Sequence, residues 1–257
     1  MGSTNETKSL ATERVQGFLL TRQWRDTRAG VELEYWFATG GGPVCTRVED
    51  ERSVFFLRVS ELEQARPVLA VERGLEVREL DLRAFDMSPV SGLYFNSHKQ
   101  ARHCADRLRE RGLDPLEADI NPADRFLMER YIAGGAELQG ACQPAGRGRQ
   151  MDRPRLRAAE YRPTLTVASV EIETAMEGVQ LYSIGVHLGG PGGEPRKIFM
   201  VGEGASQDWV QAVPSQRAAL EAFLAWLSAE DPDVLIGWNV INFDLWYLQR
   251  VADAEGI

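Results

Sequence analysis

The chain has 257 residues, enough for one large domain or two of ordinary size, and its 44% hydrophobic and 26% charged content describes a globular protein with a real core. A net charge of −9 excludes a protein that coats nucleic acid non-specifically, although not an enzyme that handles DNA through a local groove. No apolar stretch approaches a membrane span, and three scattered cysteines, Cys45, Cys104 and Cys142, suit buried thiols of a cytoplasmic protein rather than a disulfide framework or a metal site.

Residues 1–16 are polar, lack the apolar centre of a signal peptide, and read as a disordered lead-in. Residues 17–58 alternate in the strand manner through "GFLLTRQW", "VELEYWFAT", "PVCTRVE" and "SVFFLRV", with turns such as "GGGP" between them, which predicts antiparallel strands. A helix fits Ser60 to Ala70, with Ser60 as cap and Glu63 three residues on. Strands follow at "LEVREL" and "GLYFNS", then a helix from His98 to Arg111 stopped by Gly112. "LDPLEADI" reads as a strand, and "NPADRFLMERYIAGG" as a helix capped by Asn121, opened by Pro122 and stopped by Gly134. Residues 17–145 thus form an α+β domain.

The stretch from Gly134 to Pro163 is rich in Gly, Pro and Arg with little periodicity, and marks a domain boundary, with residues 146–163 as a basic linker. From Arg147 to Arg162 six arginines stand against Asp152 and Glu160, a balance of +4. A solvated face accounts for such a run; contact with a phosphate backbone is the alternative.

Beyond the linker the pattern changes. "TLTVASVEIET" is a strand, "VQLYSIGVHL" pairs with "RKIFMVG" across the turn "GGPGGEP", and "SQRAALEAFLAWLSAED" is a helix with Leu220, Phe223, Leu224 and Leu227 at helical spacing. "PDVLIGWNV" is a short buried strand and "NFDLWYLQRVADAEG" a second helix. Three strands, helix, strand, helix is the opening order of a ribonuclease H-like sheet, so residues 164–257 are expected to form the first part of such an α/β domain.

Three acids in this region stand where a core would prefer none. Glu171 and Glu173 lie one residue apart on a strand, so their side chains share a face, together with Leu165 and Val167. Asp244 falls one turn before Leu248 and two before Val251, on an apolar helix face, where a carboxylate is costly without compensation. Two like charges held together call for a cation between them. Carboxylates are hard oxygen ligands suited to magnesium or manganese, and two such ions can activate a water and stabilise the leaving oxygen of a phosphodiester.

With these residues in view, "VEIET" followed by "NVINFD" resembles the first two exonuclease motifs of the family B DNA polymerases, ordinarily Asp-x-Glu and Asn-x-x-x-(Phe/Tyr)-Asp. "FLLTRQWRDT", "EADINPADRFLMERYI", "YRP" and "DPDVLIGWNV" are similar to the N-terminal region of the bacterial DNA polymerase II branch, so the resemblance runs from Gly17 onward. It implies an N-terminal domain followed by a 3′→5′ proofreading exonuclease domain, two divalent cations, DNA as partner, and further polymerase domains in the parent protein. Carried over by position, Glu171, Glu173 and Asp244 are the implied catalytic metal ligands, Asn239 orients the terminal nucleotide, and Phe243 packs near the displaced strand end. Glu171 stands where the family has aspartate, one methylene longer, about 1.5 Å. The family's third motif, Tyr-x-x-x-Asp, falls beyond Ile257. The expectation is therefore a fragment of a polymerase that by itself neither polymerises nor excises. A stand-alone ribonuclease H-like nuclease and a non-catalytic DNA-binding module with a decayed site are the competing readings.

Overall fold

A computed structural model describes residues 12–146, 148–189, 196–204 and 207–257. The chain divides into two units, Met1–Pro163 and Thr164–Ile257. Residues 1–11 of the expected lead-in and the turn at 190–195 lie outside the described residues, while 12–16 are already strand.

The first unit is built on a closed barrel. Strands β1 (Thr12–Asp26), β2 (Val31–Thr39) and β3 (Val44–Glu51) follow one another by antiparallel pairing. The strict alternation of β2 puts Val31, Leu33, Tyr35 and Phe37 inside. Next come β4 (Ser53–Arg58), a 3-10 turn (Val59–Glu61), α1 (Leu62–Leu69), β5 (Glu76–Arg83), β6 (Pro89–Phe95), α2 (His98–Arg109) and α3 (Pro122–Met128). The chain then returns to the barrel with β7 (Gly135–Ala145), β8 (Gly148–Asp152) and β9 (Arg155–Ala158). β8 joins β3 in parallel, β7 joins β8, and β7 closes the ring by pairing with the first half of β1, from Thr12↔Ala141 to Phe18↔Gly135.

Strands β4, β6 and β5 make a separate sheet, and α1 and α2 bury Ala65, Val68, Ala101, Cys104 and Leu108 against its Phe55, Leu57, Leu93 and Phe95. Asp26, at the end of β1, ties this layer to the barrel. Its carboxylate accepts from Ser97 Oγ (2.9 Å), His98 N (2.7 Å) and Lys99 N (3.0 Å), the exposed donors at the start of α2.

Several expectations change here. The segment expected to be a linker, 146–163, supplies β8 and β9; its buried Met151 and Leu156 complete a core whose other residues come from separate elements between Val31 and Cys142, so no local period betrays it. "LDPLEADI" is not a strand: it makes one bridge, Leu116 to Phe56, with Pro115 and the left-handed Glu117 on either side. α1 begins two residues after Ser60, and Glu61 rather than Glu63 reaches back, accepting from Arg58 N at 3.3 Å. Asn121 does cap α3, accepting from Asp124 N at 2.9 Å, but the helix stops well before Gly134. Tyr131 takes the left-handed position (φ 55°), and Ile132 N donates to Leu127 O across it at 3.0 Å. A tyrosine there costs about 1 kcal/mol more than glycine would.

The second unit carries a mixed five-stranded sheet made of β10 (Val167–Thr174), β11 (Leu181–Gly189), β12 (Arg196–Val201), β13 (Val210–Val213) and β14 (Val234–Ile236). The order is β13-β12-β11-β10-β14, antiparallel through β12, β11 and β10, with β13 and β14 running parallel to their neighbours. Helix α4 (Gln216–Glu230) precedes β14, and a π-helical turn (Val240–Asp244) leads from it into α5 (Leu245–Glu255). Val170, Ile184 and Phe199 of the sheet pack with Leu220 and Phe223 of α4 and Tyr247, Leu248 and Val251 of α5. Strand β13, which follows "SQDW", was not legible as an element. β14 is an edge strand with Ile236 exposed, not the buried strand its apolar run suggests. No helix among the described residues is long and apolar enough to cross a membrane.

Candidate functional site

Glu171 and Glu173 do share one face of β10, and it is the solvent face. Ala168 and Val170, on the alternate positions, are buried, whereas both glutamates are exposed and Val167 is half-buried. The expectation that this face belongs inside is therefore corrected: the helices cover the other side. Across the ladder Glu171 faces Gly185 and Glu173 faces Ser183, small residues that leave the carboxylates open.

Asp244 behaves differently. It is only 7% exposed, at the junction of the π-helical turn and α5, held between Val240 and Leu248, which both pack into the core. The turn lies against β10 because the chain crosses that strand very closely just after β14. A Cβ on Gly237 would sit 2.6 Å from Val170 O and 3.0 Å from Val240 Cβ, so only glycine fits the crossing. β14 is fixed in turn by Asp233, whose carboxylate accepts from Thr166 N at 2.8 Å while its own N–H donates to Thr166 O at 2.8 Å. Tyr247 braces the opposite side, its hydroxyl accepting from Gln180 N at 2.8 Å and donating to Gln180 O at 3.2 Å.

The fold thus brings the two glutamates together and seats the aspartate-bearing turn on the same strand. It does not gather the acids into a cage: among the described residues no group of three or more His, Cys, Asp or Glu side chains is placed to hold a metal ion. The donors are carboxylate oxygens, chemically matched to a hard divalent cation. Asn239 is exposed at the start of the turn and its side chain makes no cap bond; its carbonyl accepts from Phe243 N at 2.9 Å. The Phe243 ring lies 6.0 Å from that of Tyr247 and remains 40% exposed. Trp238, Ile241 and Trp246 add further exposed apolar surface along the same turn. Gly237 and Tyr247, which position these groups, escaped the sequence reading; a glycine directly after a strand was the available signal for the first.

Comparison with known proteins accounts for nearly the whole chain. Residues 17–51 match the N-terminal model of DNA polymerase II, residues 53–113 its insertion domain, and residues 114–255 the exonuclease domain of DNA polymerase family B. DNA polymerase II of Escherichia coli (strain K12) is 37% identical over 242 residues, covering 92% of this chain and 30% of that protein. A DNA polymerase of Thermococcus sp. (strain 9oN-7) is 27% identical over 215 residues, 77% of this chain and 24% of its own length. The chain therefore spans about a third or less of the relatives it matches. Among solved structures, the family B DNA polymerase of Pyrobaculum calidifontis superposes with a TM-score of 0.71 at 19% identity, over 94% of this chain and 33% of that one. The chain belongs to the family B DNA polymerases, and what it carries is their N-terminal and exonuclease region.

Proposed function

We propose that the protein bearing this sequence is a DNA-directed DNA polymerase with a 3′→5′ proofreading exonuclease, acting in replication or repair synthesis, and that residues 164–257 hold the first part of the exonuclease site on a ribonuclease H-like sheet. The observation that carries the reading is the exonuclease match over residues 114–255, which encloses all five candidate residues. The order of the second sheet, three antiparallel strands with β14 added in parallel beside β10, supports the ribonuclease H-like assignment.

In this reading Glu171, Glu173 and Asp244 hold divalent cations, magnesium or manganese. When bound, such ions supply an activated water and neutralise the leaving oxygen of the phosphodiester. The protein's own part is placement. Gly237 lets the turn close on β10, Val240 and Leu248 anchor Asp244, and the sheet register fixes Glu171 beside Glu173. Asn239 presents a free side-chain amide to the terminal nucleotide. Phe243 and the neighbouring tryptophans offer faces on which the bases of a frayed single strand stack, which reads DNA without regard to sequence.

The test uses the full-length protein that carries this sequence and a primer with a mismatched 3′ end. Manganese-dependent release of mononucleotides is expected, and Glu173→Ala together with Asp244→Ala abolishes it while primer extension persists. Unchanged excision in the double variant, or no extension by the wild-type protein, refutes the assignment.

A further inference from the structure

Strand β5 leaves one edge of the β4-β6-β5 sheet without a strand partner among the described residues. Every residue from Glu76 to Arg83 except Leu80 is exposed. Edge strands are ordinarily protected from further pairing by charges, by a bulge or by a covering element. A bulge does distort β5, but only after Glu79; from Glu76↔Tyr94 to Glu79↔Ser91 its pairing with β6 is regular. The charges of this regular stretch therefore decide what can add to it.

A second copy of the chain fits it. Two identical antiparallel strands are related by a twofold axis perpendicular to the sheet, so one residue lies opposite itself and its neighbours lie opposite each other in turn. Centred on Glu76, Arg78 or Glu79, that arrangement sets like charges face to face. Centred on Val77, it sets valine against valine, and Glu76 against Arg78 on both sides of the axis. The next pair outward is Leu75 with Glu79, which opposes no like charges. Val77 is thus the one centre within the regular stretch that the charges permit.

The surroundings suit that centre. Val77 is 45% exposed, and beside it an apolar cleft of about 410 Å³ opens between α1 and β5, lined by Leu62, Leu69, Ala70 and Leu75 among others. Joining two copies at Val77 brings the two clefts together on the helix side of the sheet and takes this surface out of water. Glu76 and Arg78 alternate to the opposite face, where they are already positioned. Arg78 donates to Glu76 at 2.6 and 3.0 Å and lies over the Tyr94 ring at 4.3 Å, while Arg52 donates to Glu76 at 2.6 Å. Both side chains remain about half exposed, open to the second copy, and around the axis the four groups alternate in sign. We infer that β5 is a self-association surface, pairing antiparallel with β5 of a second copy about a twofold axis at Val77, so that the two β4-β6-β5 sheets become one. This association uses no part of the exonuclease site.

The test is sedimentation velocity of the full-length protein that carries this sequence, across a concentration series. A reversible monomer–dimer equilibrium is expected, weak because the interface is short. Val77→Lys, at an exposed position, sets like charges opposite each other and is expected to abolish the dimer while leaving the far-UV circular dichroism unchanged. Glu76→Arg alone and Arg78→Glu alone are each expected to be monomeric, since each lines up like charges across the axis. Mixed in equal amounts, these two variants are expected to form a heterodimer, because every charge at positions 76 and 78 then meets its opposite. Val77→Cys is expected to give a disulfide-linked dimer on mild oxidation, since directly opposed Cα atoms stand about 4.5–5.5 Å apart. Leu82→Cys, also exposed but within the bulge, is not expected to crosslink, and Cys45, Cys104 and Cys142 are buried. A monomer at every concentration overturns the inference. So does a dimer that survives Val77→Lys, a mixture of the two charge variants that stays monomeric, or crosslinking at Leu82→Cys in preference to Val77→Cys. Primer extension, on which the polymerase reading stands or falls, is expected to be the same for Val77→Lys as for the wild type.

Discussion

Gly237 sets how closely the Asp244 turn can approach β10, so replacing it by alanine shifts the turn that carries Asp244 away from that strand without touching any of the three acids. The added Cβ would lie 2.6 Å from Val170 O, whereas ordinary contact begins at 3.4 Å, so the crossing must open by about 0.8 Å. Its second neighbour, Val240 Cβ at 3.0 Å, blocks retreat along the turn, because Val240 is itself packed in the core. A displacement of about 1 Å at a catalytic group costs on the order of 100-fold in rate, so Gly237→Ala is expected to slow 3′ excision by roughly 30- to 100-fold. Overpacking of this kind also costs about 1–3 kcal/mol of stability. The assay is single-turnover excision from a mismatched primer by the full-length protein, beside a urea melt of the same variant. Primer extension serves as the control and is expected to hold. Wild-type excision by Gly237→Ala would show that the turn does not position the reaction, and the proposed site would lose its geometry.

Other outcomes follow from the same coordinates. Glu171→Asp shortens the side chain by one carbon–carbon bond, about 1.5 Å, and is expected to raise the excision rate by up to about 100-fold; a fall instead would mean that the longer acid is the fitted one. Asp26→Ala strips α2 of three hydrogen bonds to a charged acceptor and is expected to destabilise the first unit by about 1–3 kcal/mol in urea, with Asp26→Asn losing less. A loss below about 0.5 kcal/mol, no more than an ordinary surface substitution, would show that the cap does not join the two layers. His98 is buried against Trp24 and bonded through Nδ1 to Ser53 Oγ at 2.9 Å, and burial holds its pKa below the ordinary imidazole value, against the opposing pull of Asp26. The unfolded chain therefore takes up the proton first on acidification, and stability is lost as pH falls from about 6.5 through the lower folded value. His98→Gln is expected to remove that component of the pH dependence in urea melts between pH 7.5 and 5; an unaltered profile would assign it to other groups.

The parts of this protein that were legible in its sequence are those governed by neighbours along the chain. β2 declares itself through Val31, Leu33, Tyr35 and Phe37, α2 through Gly112, and α3 through Asn121 and Pro122, because alternation and capping are local. The glutamate pair was legible for the same reason, since two residues one apart on a strand must share a face. Which face it would be was not legible, because that depends on where α4 and α5 pack. The barrel strands β8 and β9 were hidden because Met151 and Leu156 find their partners at Thr46, Cys142 and Leu138, not in their own segment. Tyr131 ended α3 where Gly134 was expected, since nothing in composition alone discloses a non-glycine residue in the left-handed region. Gly237 went unread because its constraint comes from the carbonyl of Val170, sixty-seven positions away.

The ring of the first unit has a consequence for how the chain comes into being. The first strand finds half of its partners within the next dozen residues, but the span from Thr12 to Phe18 waits for Gly135–Ala141. At a ribosomal pace of about 5–20 residues per second, that leaves its backbone donors and acceptors open for roughly 5–20 s after the adjoining hairpin can form. During that interval the nascent protein offers a sticky strand edge to whatever passes, and a chaperone or a slowed codon tract between residues 40 and 135 would change its yield more than its final stability.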